Sequence, residues 1–361
     1  MPISDPRSLT PTFLITGNMG YIGPVLARAL SHQYPAARLI GFDSGFFAHC
    51  LTTSGPLPET LFDVQAFGDT REPPPDLFQG VDAVIHLAAV SNDPMGNRFE
   101  KVTEDINQNA GLRLAKMARA AGARHFVFAS SCSVYGAGSD TPRKESDPLN
   151  PLTAYARSKV GTEKALAELA DEHFTVTCLR FATACGLSPR LRLDLVLNDF
   201  VASALATGEI TILSDGTPWR PLIDVADMAR ALAWAAHRDA TKGGPFCIVN
   251  VGANAANVQV RALAAAVAKA LPATRVTINP DAAPDKRSYR VDFGLFEKLA
   301  PEAQPQKTLS ASIDALIEGL RALNFADVAF RQGPLMRLKT LEGHIAHKRL
   351  NEDLRWIAAP F

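Results

Sequence analysis

Residues 12–33 read TFLITGNMGYIGPVLARALSHQ, a short β-rich run, a glycine-rich turn and a helical pattern in succession. The turn places Gly17, Gly20 and Gly23 at three-residue spacing. Glycines between a strand and a helix permit a tight turn and let backbone amides approach a pyrophosphate, which the helix N-terminus then stabilises. Spacing alone is weak evidence, because many strand-to-helix turns carry glycines. The next β-rich run, ARLIGFD, ends at Asp43, 20 residues past Gly23. A carboxylate there can accept both ribose hydroxyls of an adenosine; the alternative is an acid that merely closes a strand-end turn. Such a carboxylate repels a 2′-phosphate, and no arginine follows directly in GFDSGFF. The pattern therefore favours NAD over NADP.

Working outward, VDAVIHLAA (81–89) and ARHFVFASS (123–131) are two further strand-like runs, with the helical stretch DINQNAGLRLAKMARAAG between them. Strands alternating with helices imply βαβ units and a parallel sheet covered on both faces. Nearly continuous apolar strands fit that burial. FTVTCLRFATACG (174–186) reads as another core strand. Beyond it come shorter units: a helix near 194–207, ITILSDG, RPLIDVADMARALAWAA, FCIVNVG, the helical VQVRALAAAVAKAL and the short strand RVTINP. The expected class is α/β, a Rossmann-type doubly wound parallel sheet with a smaller C-terminal α/β substrate-binding region. The boundaries expected are 1–186 for the dinucleotide-binding domain, with a return of the chain near 220–250, and 187–325 for the substrate region. Residues 326–361 form an extension, read as an added helical cap to which no chemistry is assigned.

Composition narrows the class. The 361 residues carry 37 basic and 37 acidic side chains. Zero net charge gives no electrostatic case for nucleic acid or an anionic membrane as partner. No apolar run reaches the roughly 18 to 20 residues of a membrane span. The start, MPISDPRSLTPT, lacks the basic and apolar regions of a secretory signal, so a cytoplasmic protein is expected. Cys50, Cys132, Cys178, Cys185 and Cys247 are dispersed without C-x-x-C spacing, which argues against a disulfide framework and a zinc site. The eight histidines form no ligand motif, and no metal is expected.

PLTAYARSK (151–159) sets Tyr155 and Lys159 one helical turn apart, on a shared face. By itself the pair reads first as a packing tyrosine beside a solvated lysine. Its companions change that reading. The spacing G-x-x-G-x-x-G, with FGDT (67–70), HLAA (86–89), SSCSVYG (130–136), YARSK (155–159), LRFATACG (179–186) and WRPLIDVAD (219–227) in this order, resembles the extended short-chain dehydrogenase/reductase superfamily of NAD-dependent nucleotide-sugar epimerases and dehydratases. The likeness spans roughly residues 12–325.

The resemblance implies roles. Tyr155 is the acid/base for a sugar hydroxyl, Lys159 orients the cofactor and tunes the phenol, and Ser131 hydrogen-bonds the reacting oxygen. A phenol titrates near pH 10 when unperturbed; an ammonium one turn away and a cationic nicotinamide both favour the phenolate. By the same resemblance the cofactor is held by Gly17, Gly20, Tyr21, Ile22 and Gly23, by Asp43, Asp69 and Thr70, and by Leu87, Ala88 and Ala89, with Asn107 pinning a strand and Tyr155 and Lys159 completing the set. Asp69 reads equally as a solvated loop acid. Ser91, Ser133, Thr183, Arg220 and Arg287 are the candidates for substrate, a nucleotide-diphosphate sugar. Arg220 is placed first, because a guanidinium clasps phosphate bidentately. Arg287 or Arg290 paired with Asp285 or Asp292 is the alternative for that segment.

Neighbouring residues choose the reaction. The superfamily's 4,6-dehydratases carry an Asp-Glu pair after the catalytic residue; here those positions are Cys132 and Ser133, which cannot supply that chemistry. The glucuronate decarboxylases use a Glu in this loop, and none is present. What is left resembles a 4-epimerase working through a transient keto-sugar. Strand periodicity turns Cys132 away from the face Ser131 uses, against a catalytic thiol. Thr183 stands where galactose 4-epimerases have Asn, which leaves the sugar open. A net oxidoreductase on a sugar or other secondary alcohol is the alternative, and a non-catalytic dinucleotide sensor a third reading. Family members dimerise through the helix bearing Y-x-x-x-K and the one before it, and a homodimer is expected.

Overall fold

The computed structural model describes residues 10–136, 141–279 and 288–357. In chain order the first half builds β1 (Thr12–Thr16), α1 (Gly23–Gln33), β2 (Arg38–Asp43), β3 (Val64–Phe67) and β4 (Ala83–His86). Two short helices, α2 (Asp93–Arg98) and α3 (Glu100–Glu104), run through a π-helical turn into α4 (Ala110–Ala120). Then follow β5 (His125–Ser131), α5 (Ala154–Ala167) and β6 (Thr175–Phe181). The second half holds β7 (Thr183–Cys185), α6 (Val196–Thr207), β8 (Glu209–Ile212), β9 (Trp219–Asp224), α7 (Val225–Ala235) and β10 (Phe246–Val251). It ends with β11 (Asn257–Gln259), α8 (Val260–Ala270), β12 (Arg275–Ile278), α9 (Gly294–Leu299), α10 (Leu309–Ala322) and α11 (Arg337–Ala346).

Seven strands form one sheet in the order β10-β6-β5-β4-β1-β2-β3, every neighbouring pair parallel. Side chains alternate across it, so each apolar strand feeds two cores. Phe13, Ile15, Leu39, Ile85 and Val127 face α1 and α7, meeting Leu26, Leu30 and Leu232. Leu14, Ile40, Val84, Phe126 and Phe128 face the other way, onto Leu114 of α4 and Leu166 of α5. The strand order reverses between β1 and β4. In such sheets the crevice at that switch point, beyond the carboxyl ends of the strands, is where ligands bind.

A smaller region sits beside this crevice. Its two sheets, β11-β9-β7 and β12-β8, pack with α6, α8 and α10 around Leu197, Val201, Leu263, Val267, Leu316 and Leu320. The chain returns to the large sheet through α7 and β10 before the smaller region is complete. The extension does not stand apart. Leu341, Leu350 and Leu354 join Val90, Met95, Phe99 and Ile106 in a fourth apolar cluster at the carboxyl edge of the large sheet. Among the described residues no helix is long and apolar enough to cross a membrane.

Candidate active site

The carboxyl ends of β1, β2, β4 and β5 open on one cleft of about 1070 Å³, walled on the far side by the smaller region. Its floor begins at the glycine turn. Gly17 has φ +73°, and a Cβ there would lie 2.5 Å from the Ala88 amide nitrogen. Only glycine lets β1 and β4 approach this closely. Gly20, Tyr21 and Ile22 also line the cleft. Ile22 caps α1 without any side-chain hydrogen bond, so the first amides of that helix are not satisfied by a cap of its own. Gly23 does not line the cleft; it lies behind, against the backbone of Asn18, where α1 meets the turn.

Asp43 ends β2 inside the cleft, accepting hydrogen bonds from the Met19 amide (2.9 Å) and the Gly45 amide (2.7 Å). Burial raises its pKa, against the pull of those two amides. Asp69 and Thr70 line the same end. Asp69 is no solvated acid. Arg71 holds it through Nε (2.9 and 3.0 Å) and Nη2 (2.6 Å). Burial raises the Asp69 carboxyl, but its hydrogen bonds with Arg71 win and hold it below the ordinary value. Leu87, Ala88 and Ala89 continue the wall beyond β4. Asn107 departs from its expected companions. It is buried beneath the wall, with its side chain accepting from the Val90 amide (2.8 Å) and donating to the Val90 carbonyl (3.0 Å) and Ser158 (3.0 Å). Its place is that of a positioning residue for the loop after β4.

Ser131, Tyr155 and Lys159 converge on the floor of the cleft. Thr153 caps α5, its Oγ1 accepting from the Ala156 amide (3.1 Å) and donating to Asp93 (2.7 Å). That cap starts the helix one residue before Tyr155. The partly covered ring of Tyr155 opens onto the cleft, yet burial pushes its pKa up to about 12, opposed by a hydrogen bond with Ser131. Lys159 is buried, with Nζ donating to the Ala129 carbonyl at 2.7 Å and lying 5.5 Å from the Tyr155 ring centre. Burial draws it down to about 7. In the protein alone, then, burial dominates both groups, and the expected lowering of the phenol does not arise.

Cys132 lies outside the cleft, fully buried, its thiol donating to the Arg180 carbonyl at 3.1 Å. Burial pushes that thiol well above its ordinary value. Ser133 does line the cleft, and its hydroxyl is buried with no hydrogen-bond partner. Ser91, Thr183 and Arg220 line the cleft as well. Arg220 donates from Nη1 to the Trp219 carbonyl at 2.9 Å. Arg287 lies outside the described residues.

Several lining residues escaped the sequence reading. Arg192 is buried beside the catalytic candidates, with Nε and Nη2 on Asp194 (2.9 and 3.0 Å) and Nη1 on Ser91 (3.0 Å). Asn92 donates to the same Asp194 carboxylate at 2.7 Å. Tyr289 is also in the wall, its phenol raised by burial. The one local signal for Arg192 is its segment, SPRLRLDLVLND (188–199), a charged, apolar-interleaved run ahead of a helix. Met336, Arg337, Leu341 and Leu354 bring the extension to the cleft as well.

Comparison with known proteins places this geometry. The sequence profile of the NAD dependent epimerase/dehydratase family matches residues 13–252. The chain is 30% identical over 251 residues to an uncharacterized UDP-glucose epimerase, YtcB, of Bacillus subtilis (strain 168), covering 66% of this chain and 76% of that one. It is 27% identical over 260 residues to a UDP-glucose 4-epimerase of Corynebacterium glutamicum, covering 66% of this chain and 74% of the other. Among solved structures, MoeE5 in complex with UDP-glucose and NAD superposes with a TM-score of 0.72 at 27% identity, over 86% of this chain and 99% of MoeE5.

Proposed function

The chain belongs to the NAD-dependent epimerase/dehydratase family, and from that premise we propose that it is a nucleotide-sugar epimerase acting at C4, with Tyr155 as acid/base. The observation that carries this reading is the convergence of Ser131, Tyr155 and Lys159 in the cleft that begins at the glycine turn. The fit to a dinucleotide is supported by the uncapped start of α1, by the Gly17 contact that a Cβ would block, and by Asp43 at the end of β2. NAD, when bound, accepts and returns the hydrogen of C4 as hydride.

The chain's own residues handle the proton. Tyr155 takes it from the C4 hydroxyl as the keto-sugar forms and gives it back to the same oxygen when the other face is reduced. Ser131 hydrogen-bonds that oxygen while its charge changes. Lys159, fixed on the Ala129 carbonyl, lies near the phenol and favours its ionised form when its own amine is protonated. A 4,6-dehydration needs a further acid and base beside Ser131. The buried thiol of Cys132 lies outside the cleft, and the hydroxyl of Ser133 is no base, so the loop supports epimerisation. Arg220, Thr183, Ser91 and the unpartnered hydroxyl of Ser133 are the proposed contacts to the nucleotide-diphosphate sugar; the two curated relatives make a uridine nucleotide the first to try. A homodimer belongs to the same proposal, and light scattering at twice the chain mass would support it.

The deciding test is proton NMR with a panel of nucleotide hexoses and catalytic NAD. A new anomeric signal growing to a fixed ratio without NADH identifies the epimerase and its sugar. Turnover only with stoichiometric NAD would replace this reading by a net oxidoreductase.

A further inference from the structure

The extension is tied to three separate loops, each at the carboxyl end of a strand in the dinucleotide half of the sheet. After β2, the Ser44 carbonyl accepts from Trp356 Nε1 (2.6 Å) and the Phe46 carbonyl lies 2.9 Å from His344 Nε2. After β3, Arg71 donates to the carbonyls of Asp353 (2.8 Å) and Leu354 (3.1 Å), and Arg355 meets Glu72 at 3.0 Å. After β4, Leu341, Leu350 and Leu354 join the apolar cluster of Val90 and Ile106. A segment that crosses all three loops lies across the mouth of the crevice they frame.

One side chain in this segment is out of balance. Three arginines come together where the extension meets residues 190–194. Arg190 pairs with Glu59 (2.6 Å) and Arg192 with Asp194 (2.9 Å). Arg337 has no carboxylate within ion-pair distance among the described residues. It is 1% exposed, donates one hydrogen bond from Nη2 to the Arg190 carbonyl (3.0 Å), and lies 4.6 Å from the Phe47 ring centre. Its Nη1 is buried with no partner, and the residue lines the cleft. Burial draws the guanidinium down to about 10, still far above neutral pH, so it keeps its charge. A buried, charged and unpartnered donor is costly unless an anion meets it.

We infer that the extension is the outer wall of the dinucleotide site and that Arg337 is a binding residue for the NAD diphosphate, closing the cofactor in for repeated turnovers. Two molecules in this cleft would carry a diphosphate, the dinucleotide and the sugar nucleotide. The anchors favour the first: the extension rests on the loops of Ser44, Asp69 and Val90, on the same side as Asp43. The inference rests on the cleft holding NAD, and wild-type binding checks that separately.

The test uses the full chain, stripped of nucleotide, with NAD and UDP titrated calorimetrically and NAD release followed after dilution. Arg337→Met should weaken NAD by about tenfold or more, the loss expected for one charge-assisted hydrogen bond, and leave UDP within about twofold. Arg337→Lys should recover part of the NAD affinity. Because a buried arginine can matter for folding, Trp356→Ala is the second variant. It loosens the wall from a half-exposed position, and should speed NAD release with Arg337 intact. Unchanged NAD affinity in a folded Arg337→Met, or a loss confined to UDP, overturns the inference while leaving the epimerase reading in place. Wild-type protein that binds no NAD overturns both.

Discussion

Tyr155 works against its surroundings. Burial holds its phenol near 12, and only Ser131 among its hydrogen-bond partners pulls it down. Replacing it by Phe keeps the ring and removes the proton carrier. Tyr155→Phe should lower turnover by about 10²- to 10⁴-fold, the usual worth of a positioned acid/base, with NAD binding preserved by calorimetry. A wild-type rate would refute the assignment. Lys159 offers an independent check through pH. It titrates near 7 in the fold and at about 10.4 in the unfolded chain. Between those values the unfolded chain binds more protons, so this residue makes stability rise with pH from about 7 to about 10. Below that window both states are protonated and the full cost of a buried ammonium is present. NAD-free Lys159→Met should therefore melt above wild type at about pH 6, with the gap closing toward about pH 10. A gap independent of pH would identify some other group as the titrating one.

At the level of elements, the question is what fixes α5 so that Tyr155 and Lys159 meet Ser131. Glu163, two turns beyond Tyr155, reaches under the helix to both flanking strands. It accepts from Ser130 of β5 (2.6 Å) and, through both oxygens, from Arg180 of β6 (2.9 and 2.7 Å). Arg180 goes on to Tyr135, whose hydroxyl donates to Asn250 of β10 at 2.7 Å. All five groups are buried. Glu163→Ala would strand the arginine charge in the core, at a cost of about 3–5 kcal/mol. Urea unfolding should register that loss, and the surviving folded fraction should show weaker turnover, since the helix loses its tie to β5. A change under about 1 kcal/mol would mean the pair is solvated on opening. Of this arrangement the sequence displays the parts that are local. Strand-turn-helix order, the glycine spacing and the Tyr–Lys turn all follow from periods of two and 3.6. Glu163 carries no local mark of this role, because its partner on β6 is 17 residues away across a crossover.

For the whole molecule, the cleft lies between the large sheet and a smaller region whose chain weaves back through α7 and β10. A ligand spanning it couples both. At about a hundred times its Kd, NAD should raise stability by about 2.7 kcal/mol, and removing it should lower Tm correspondingly in a scan; equal melting with and without NAD would exclude binding to the folded state. Long-range closure leaves no local mark in the sequence. Arg192, Tyr289 and the extension reach the cleft only by tertiary routes that no local period encodes. Its path has a temporal side. Ser44 and Trp356 are hydrogen-bonded across 312 positions, so the loop after β2 is synthesised well before the segment that closes against it. Domains tend to fold as the ribosome delivers them, amino-terminal part first. A nascent chain that ends before residue 326 carries the glycine turn, Asp43 and the Tyr–Lys helix without the segment that meets the three loops after β2, β3 and β4. With the extension as the wall inferred above, the chain carries the dinucleotide's floor contacts before the segment that closes over them, which lets entry come before closure.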